Sequence, residues 1–109
     1  MSLEMEAFKQ YRNLQLFTQV NEESVSKISK LINNLNAEEQ CLNKKYIAPI
    51  NLYINSTGGT AYSGIALSET IRTSRIPIHT YCNGLAASAA FLIFISGHKR
   101  LMYKNSIAL

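Results

Sequence analysis

The stretch Pro49-Ile50-Asn51-Leu52-Tyr53-Ile54-Asn55-Ser56-Thr57-Gly58-Gly59-Thr60 decides the fold. Ile50, Leu52 and Ile54 alternate with Asn51, Tyr53 and Asn55, which is the two-residue period of a strand. Ser56 to Thr60 is a turn cluster, and helical spacing resumes near Tyr62 and reaches about Ser74. A strand, a glycine-marked turn and a helix in succession form half of a β-α-β unit. The other half follows at once. Pro77 starts a third strand over Ile78–Cys82, Asn83-Gly84 breaks it, and an apolar helix runs from Ala86 to Ser96. Gly97 stands at the C′ place of that helix, with His98, Lys99 and Arg100 after its negative end.

The pattern extends in both directions. Tyr11–Val20 reads as a first strand. Asn21 is suited to cap a helix over Glu22–Leu35, whose acids Glu22 and Glu23 lie in the first turn. Val25, Ile28, Leu31, Ile32 and Leu35 form its apolar face. Ala37–Lys45 is polar and reads as a surface connection. Beyond Arg100, Leu101-Met102-Tyr103 predicts a fourth strand, Asn105-Ser106 a turn, and Ile107-Ala108-Leu109 a further apolar segment. The order β-α-β-α-β-α-β predicts an α/β fold with parallel strands joined by right-handed crossovers.

Composition narrows the function. The chain has 109 residues, enough for one domain. Hydrophobic residues make up 47%, which suits a packed core, and charged residues only 17%, which points to surface buried in the fold or against partners. The net charge of +4 comes from scattered residues and short pairs, Lys44-Lys45 and Lys99-Arg100, without aromatic interleaving, so no nucleic-acid partner is expected. The uncharged run Gly84–Gly97 is shorter than a membrane span, and Met1–Lys9 lacks an apolar signal segment. Cys41 and Cys82 make neither a disulfide framework nor a four-ligand zinc site, so a cytoplasmic setting without metal is expected.

In an open α/β sheet, chemistry sits beyond the carboxyl ends of the strands. The turns Asn55–Gly59 and Gly84–Ala90 both lie there and can face one another. Ser88 would stand at the start of the apolar helix, where backbone N–H groups are unpaired. A hydroxyl beside such donors suits acyl transfer, and Gly58-Gly59 would bring a second exposed N–H without a Cβ in the way. The same residues allow another reading. Small residues at the start of a buried helix also mark tight helix–sheet packing, with Ser88 merely tolerated. The segment is not the G-x-S-x-G nucleophile elbow, since Ala86 and Ala90 occupy the glycine places.

Taken together, Leu52–Gly59, Gly64-Ile65-Ala66, Gly84–Leu92, Lys99-Arg100 and Asn105-Ser106 resemble, in order, the proteolytic subunit of the Clp protease. The resemblance implies a ClpP/crotonase-type β-α-β superhelix and a serine peptidase with a Ser-His-Asp triad. It also implies homo-oligomeric rings, unfolded-polypeptide substrates, an AAA+ unfoldase partner and no cofactor. Carried over by position, Ser88 is the nucleophile, the backbone N–H groups of Gly59 and Ala89 form the oxyanion hole, and Gly58 and Gly84 support the turns. Thr57, Leu85 and Ala89 stand where the family usually has Pro, Gln and Met, which marks a divergent branch.

A serine nucleophile needs a general base within hydrogen-bond reach. His79 lies five strand residues before Gly84, about 16 Å away. His98 lies at the opposite end of the apolar helix, about 15 Å from Ser88. Neither is expected to join Ser88. In the family the catalytic His follows the Asn-Ser turn by a few residues and the Asp comes later. The expectation is therefore a single incomplete domain over residues 1–109, the N-terminal part of a longer one. Two alternatives stand beside the peptidase: an inactive ring subunit of the same fold, and a crotonase-type acyl-CoA enzyme, which shares the two-amide oxyanion hole but has no nucleophilic serine.

Overall fold

The computed structural model describes residues 12–40 and 46–109. Strand β1, Asn13–Leu16, is followed by helix α1, Glu22–Gln40, and strand β2, Ile50–Ser56. Helix α2, Ala61–Thr73, leads to strand β3, Ile78–Ala86. Helix α3, Ala89–Ile95, precedes strands β4, Lys99–Met102, and β5, Ile107–Ala108. The sheet order is β1-β2-β3-β4, with β5 pairing the far end of β3, and every pairing is parallel.

One face of this sheet is the core. Leu14, Leu52 and Thr80 stand side by side across three strands, as do Leu16, Ile54 and Cys82, and all are buried. Residues from the three described helices, including Ile32, Leu67, Ile71 and Ile93, join the same cluster. Helices that all cover one face of a sequentially ordered parallel sheet make the predicted β-α-β superhelix. The opposite face carries Asn51, Tyr53, His79 and Tyr81, and none of the described helices covers it; the rings of Tyr53 and Tyr81 stack at 4.5 Å.

Asn21 caps α1 as its sequence position suggests. Its Oδ1 accepts the Ser24 N–H at 2.9 Å, and Ser24 Oγ accepts the Asn21 N–H at 3.1 Å, a reciprocal capping box. The helix does not stop at Leu35. It runs to Gln40, because its polar last turns bond to distant chain. Asn36 Nδ2 donates to Ser74 Oγ, Asn36 Oδ1 accepts the Arg75 N–H at 2.8 Å, and buried Glu39 pairs with buried Arg12. The predicted surface connection is thus helical over residues 37–40, and its remainder, 41–45 with Cys41, lies outside the described residues. The first strand is also shorter than Tyr11–Val20, although Val20 returns as an isolated bridge to Gly59.

Two glycine-marked breaks behave differently from their reading. Asn83-Gly84 does not end β3, which continues as a bulge to Ala86. The helix after it accordingly begins at Ala89, not Ala86. Gly97 does follow the C-cap Ser96, but its role is close approach. A Cβ there would stand 2.3 Å from Thr80 Oγ1, the buried hydroxyl that donates to the Phe94 carbonyl at 2.7 Å.

Candidate active site

The two turns meet. The Ala87 N–H donates to the Ser56 carbonyl at 3.2 Å, which carries the β2–β3 pairing one residue past the end of β3. Gly58 then lies directly against the Ser88 turn. A Cβ at Gly58 would stand 2.6 Å from the Ala87 carbonyl oxygen, 2.8 Å from Ser88 Cβ and 3.2 Å from the Ala89 nitrogen. With φ at +103°, Gly58 takes a backbone conformation that a side chain disfavours, so both space and torsion require glycine.

The Gly58–Gly59 turn is held from three sides. Ser56 is buried and its Oγ accepts the Gly58 N–H at 3.1 Å. The Val20 N–H donates to the Gly58 carbonyl and the Thr60 N–H to the Val20 carbonyl, both at 2.8 Å. This pattern leaves the Gly59 N–H without a protein acceptor among the described residues. The Ala89 N–H, first in α3, is in the same position, as the first amides of a helix are.

Ser88 is exposed and has φ 57°, ψ −124°, the one positive φ of a non-glycine residue among those described. Such a backbone costs on the order of 1–3 kcal/mol and persists only where neighbours over-determine it. Here they do. The Ser88 N–H donates to the Leu109 carbonyl at 3.0 Å, the Leu109 N–H donates to the Ala86 carbonyl at 2.9 Å, and Gly58 presses from the other side. The Ser88 hydroxyl makes no capping bond to α3. The strained backbone of a nucleophile elbow is therefore present without the elbow's flanking glycines.

The packing and chemical readings of the small residues divide between neighbours. Ala89 and Ala90 are buried in the core, and a Cβ at Gly64 on α2 would come within 2.9 Å of Ala89 Cβ, so Ala89 serves helix–helix contact. Ser88 beside them faces solvent. Gly84 belongs to the β3 bulge, with φ +113° and its backbone against the Asn55 carboxamide.

The histidines stand elsewhere, as expected. His98 Nδ1 accepts the Ile78 N–H at 2.9 Å, at the amino end of β3. His79 is paired in the ladder with Asn51 and Lys99, and Asn51 lies five β2 residues before Ser56, the partner of Ala86, so at strand rise His79 is about 17 Å from the Ser88 turn. Its pKa is lowered, first by desolvation and then by the Lys99 and His98 charges. No three His, Cys, Asp or Glu side chains stand together among the described residues, and no described helix is long and apolar enough to cross a membrane.

The sequence profile of the Clp protease family matches residues 2–109. The chain belongs to the Clp protease family. Over 49 residues, 45% of this chain and 21% of the relative, it is 47% identical to the ATP-dependent Clp protease proteolytic subunit 1 of Salinibacter ruber. Among solved structures, ClpP1 from Listeria monocytogenes superposes with a TM-score of 0.82 at 20% identity, over 98% of this chain and 60% of that one. The ClpP protease catalytic domain from Plasmodium falciparum gives 0.80 at 25% identity, over 100% of this chain and 58% of that one. The chain thus spans about three-fifths of the solved relatives it matches. Its α/β fold is that of the ClpP catalytic domain, with both candidate turns inside the matched part.

Proposed function

We propose that this chain carries the nucleophile half of a ClpP-type serine endopeptidase that cleaves unfolded polypeptides through an acyl-enzyme. The observation that supports it most is the exposed Ser88, held at positive φ against Gly58, where two turns meet whose Gly59 and Ala89 amides have no protein acceptor among the described residues. Ser88 Oγ attacks the scissile carbonyl. The N–H groups of Gly59 and Ala89 receive the developing oxyanion, and both are backbone donors, so Ala89 serves regardless of its side chain. The Oγ proton passes to a histidine other than His79 and His98, since both lie at the far end of β3. That base then protonates the leaving amine, and water releases the acyl group by the same route. The chemistry needs no metal or cofactor.

The working state in this reading is a cytoplasmic homo-oligomeric ring fed by an AAA+ unfoldase. Family membership and the low charge content support it. A second reading, an inactive subunit of the same fold, draws on the remoteness of both histidines. Hydrolysis of a fluorogenic peptide by the protein from its natural gene separates the two. The peptidase reading expects turnover that Ser88→Ala abolishes. No turnover from a folded oligomer favours the second, and turnover unchanged by Ser88→Ala overturns Ser88 as the nucleophile.

A further inference from the structure

Between paired positions, β3 carries two residues more than β2. Ile54 stands opposite Cys82 and Ser56 opposite Ala86, so Asn55 alone faces Asn83, Gly84 and Leu85. A bulge takes ladder amides away from their usual acceptors. Here two side chains replace those acceptors. Asn55 Oδ1 accepts the Leu85 N–H at 3.2 Å, and Ser106 Oγ accepts the Gly84 N–H at 2.8 Å. The carboxamide also fills the hollow of the bulge, since a Cβ at Gly84 would come within 2.6 Å of Asn55 Oδ1 and 3.0 Å of its Cγ.

The bulge sets where Ser88 stands. In a regular ladder Ser56 would face Gly84, and Ser88 would lie two residues further along the strand, about 7 Å past its present place beside Gly58. The oxyanion donors come from both turns, so their mutual placement depends on this offset. Functional groups must be held within about 0.5 Å of productive geometry, and a displacement of about 1 Å can cost a hundredfold in rate.

We propose that Asn55 and Ser106 are positioning residues: together they hold the β3 bulge and thereby place Ser88 against the Gly58–Gly59 turn. Their bonds go to Gly84 and Leu85, not to Ser88. Asn55 is exposed and Ser106 half-buried, and neither belongs to the apolar core, so their loss spares the global fold. The catalytic consequence rests on the peptidase reading; the structural consequence does not.

The test uses the full natural chain with Asn55→Ala, Asn55→Asp and Ser106→Ala. Asn55→Asp keeps an oxygen in place to accept the Leu85 N–H. Two quantities are measured for each: the rate of Ser88 labelling by a fluorophosphonate, split into affinity and maximal rate, and the exchange rates of the Leu85 and Ser88 amides. The expectation for Asn55→Ala is a maximal labelling rate lower by about a hundredfold, affinity within threefold, and both amides exchanging at least tenfold faster. Ser106→Ala loses about tenfold in rate, and Asn55→Asp stays within threefold of wild type. Labelling and exchange of Asn55→Ala within threefold of wild type overturn the proposal, as does an Asn55→Asp variant as impaired as Asn55→Ala. If Asn55→Ala does not fold, Ser106→Ala and Asn55→Asp decide by the same limits. If wild type itself is not labelled, the peptidase reading falls, and the exchange comparison alone upholds or overturns the positioning role.

Discussion

Replacing Gly58 with alanine perturbs the contact on which the site depends. The new Cβ would lie 2.6 Å from the Ala87 carbonyl oxygen and 2.8 Å from Ser88 Cβ, where ordinary contact begins near 3.4 Å. The two turns must therefore separate by about 0.6–0.8 Å, or the backbone must leave φ +103°. Holding a side chain at that torsion costs on the order of 1–3 kcal/mol. A separation approaching 1 Å between nucleophile and oxyanion donors costs about a hundredfold in rate, or roughly 2.7 kcal/mol in the activation barrier. Stability from urea unfolding and the fluorophosphonate labelling rate of Ser88 report the two effects separately. We expect a folded protein destabilised by about 1–3 kcal/mol and labelled about a hundredfold more slowly. A Gly58→Ala protein labelled within threefold of wild type would show that the contact between the turns does not govern reactivity, and the geometric argument would fail.

Four further outcomes follow from the same structure. Ser88→Gly relieves the positive φ and raises stability by about 1 kcal/mol in urea unfolding; equal or lower stability contradicts the strain. Thr80→Val removes the hydroxyl that donates to the Phe94 carbonyl, keeps the side-chain volume, and costs about 1–2 kcal/mol by the same assay; no loss would show that bond to be dispensable. Glu39→Ala removes the carboxylate that pairs with buried Arg12 and costs about 3–5 kcal/mol, whereas Arg12→Met with Glu39→Leu restores most of it; equal losses in both would count against a buried-charge penalty. His79 has a pKa below its ordinary 6.5, so folding favours its neutral form. Its contribution is therefore complete above pH 6.5 and declines as pH falls from there toward the folded value. His79→Gln should flatten the stability profile across that acidic window, and an unchanged profile would assign the pH dependence to other groups.

The order of elements is legible in the chain because it rests on local signals. The alternation of Ile50, Leu52 and Ile54, the Asn21 cap and the spacing of Val25, Ile28, Ile32 and Leu35 each act within a few residues. The departures all involve partners far along the chain. Residues 36–40 look like a helix stop, yet Asn36 bonds to Ser74 and Arg75, and Glu39 to Arg12. Asn83-Gly84 looks like a strand end, yet Asn55 and Ser106 supply the acceptors that let β3 continue. The two glycine-marked turns were visible as a pair, and their contact follows from parallel pairing of adjacent strands. The strained backbone of Ser88 was not visible, because it comes from Gly58 on one side and Leu109 on the other, not from flanking glycines. The doubled glycine beside a small-residue segment was the signal that such a close approach could occur.

The most direct test of the central claim is to map the site of covalent modification. The protein from its natural gene, folded and assembled, is treated with a fluorophosphonate, digested and analysed by mass spectrometry. The account predicts one stoichiometric adduct on Ser88, absent from Ser88→Ala and slowed in Gly58→Ala. An adduct on a different residue, or no adduct on the assembled protein, would contradict the assignment of Ser88 as the nucleophile.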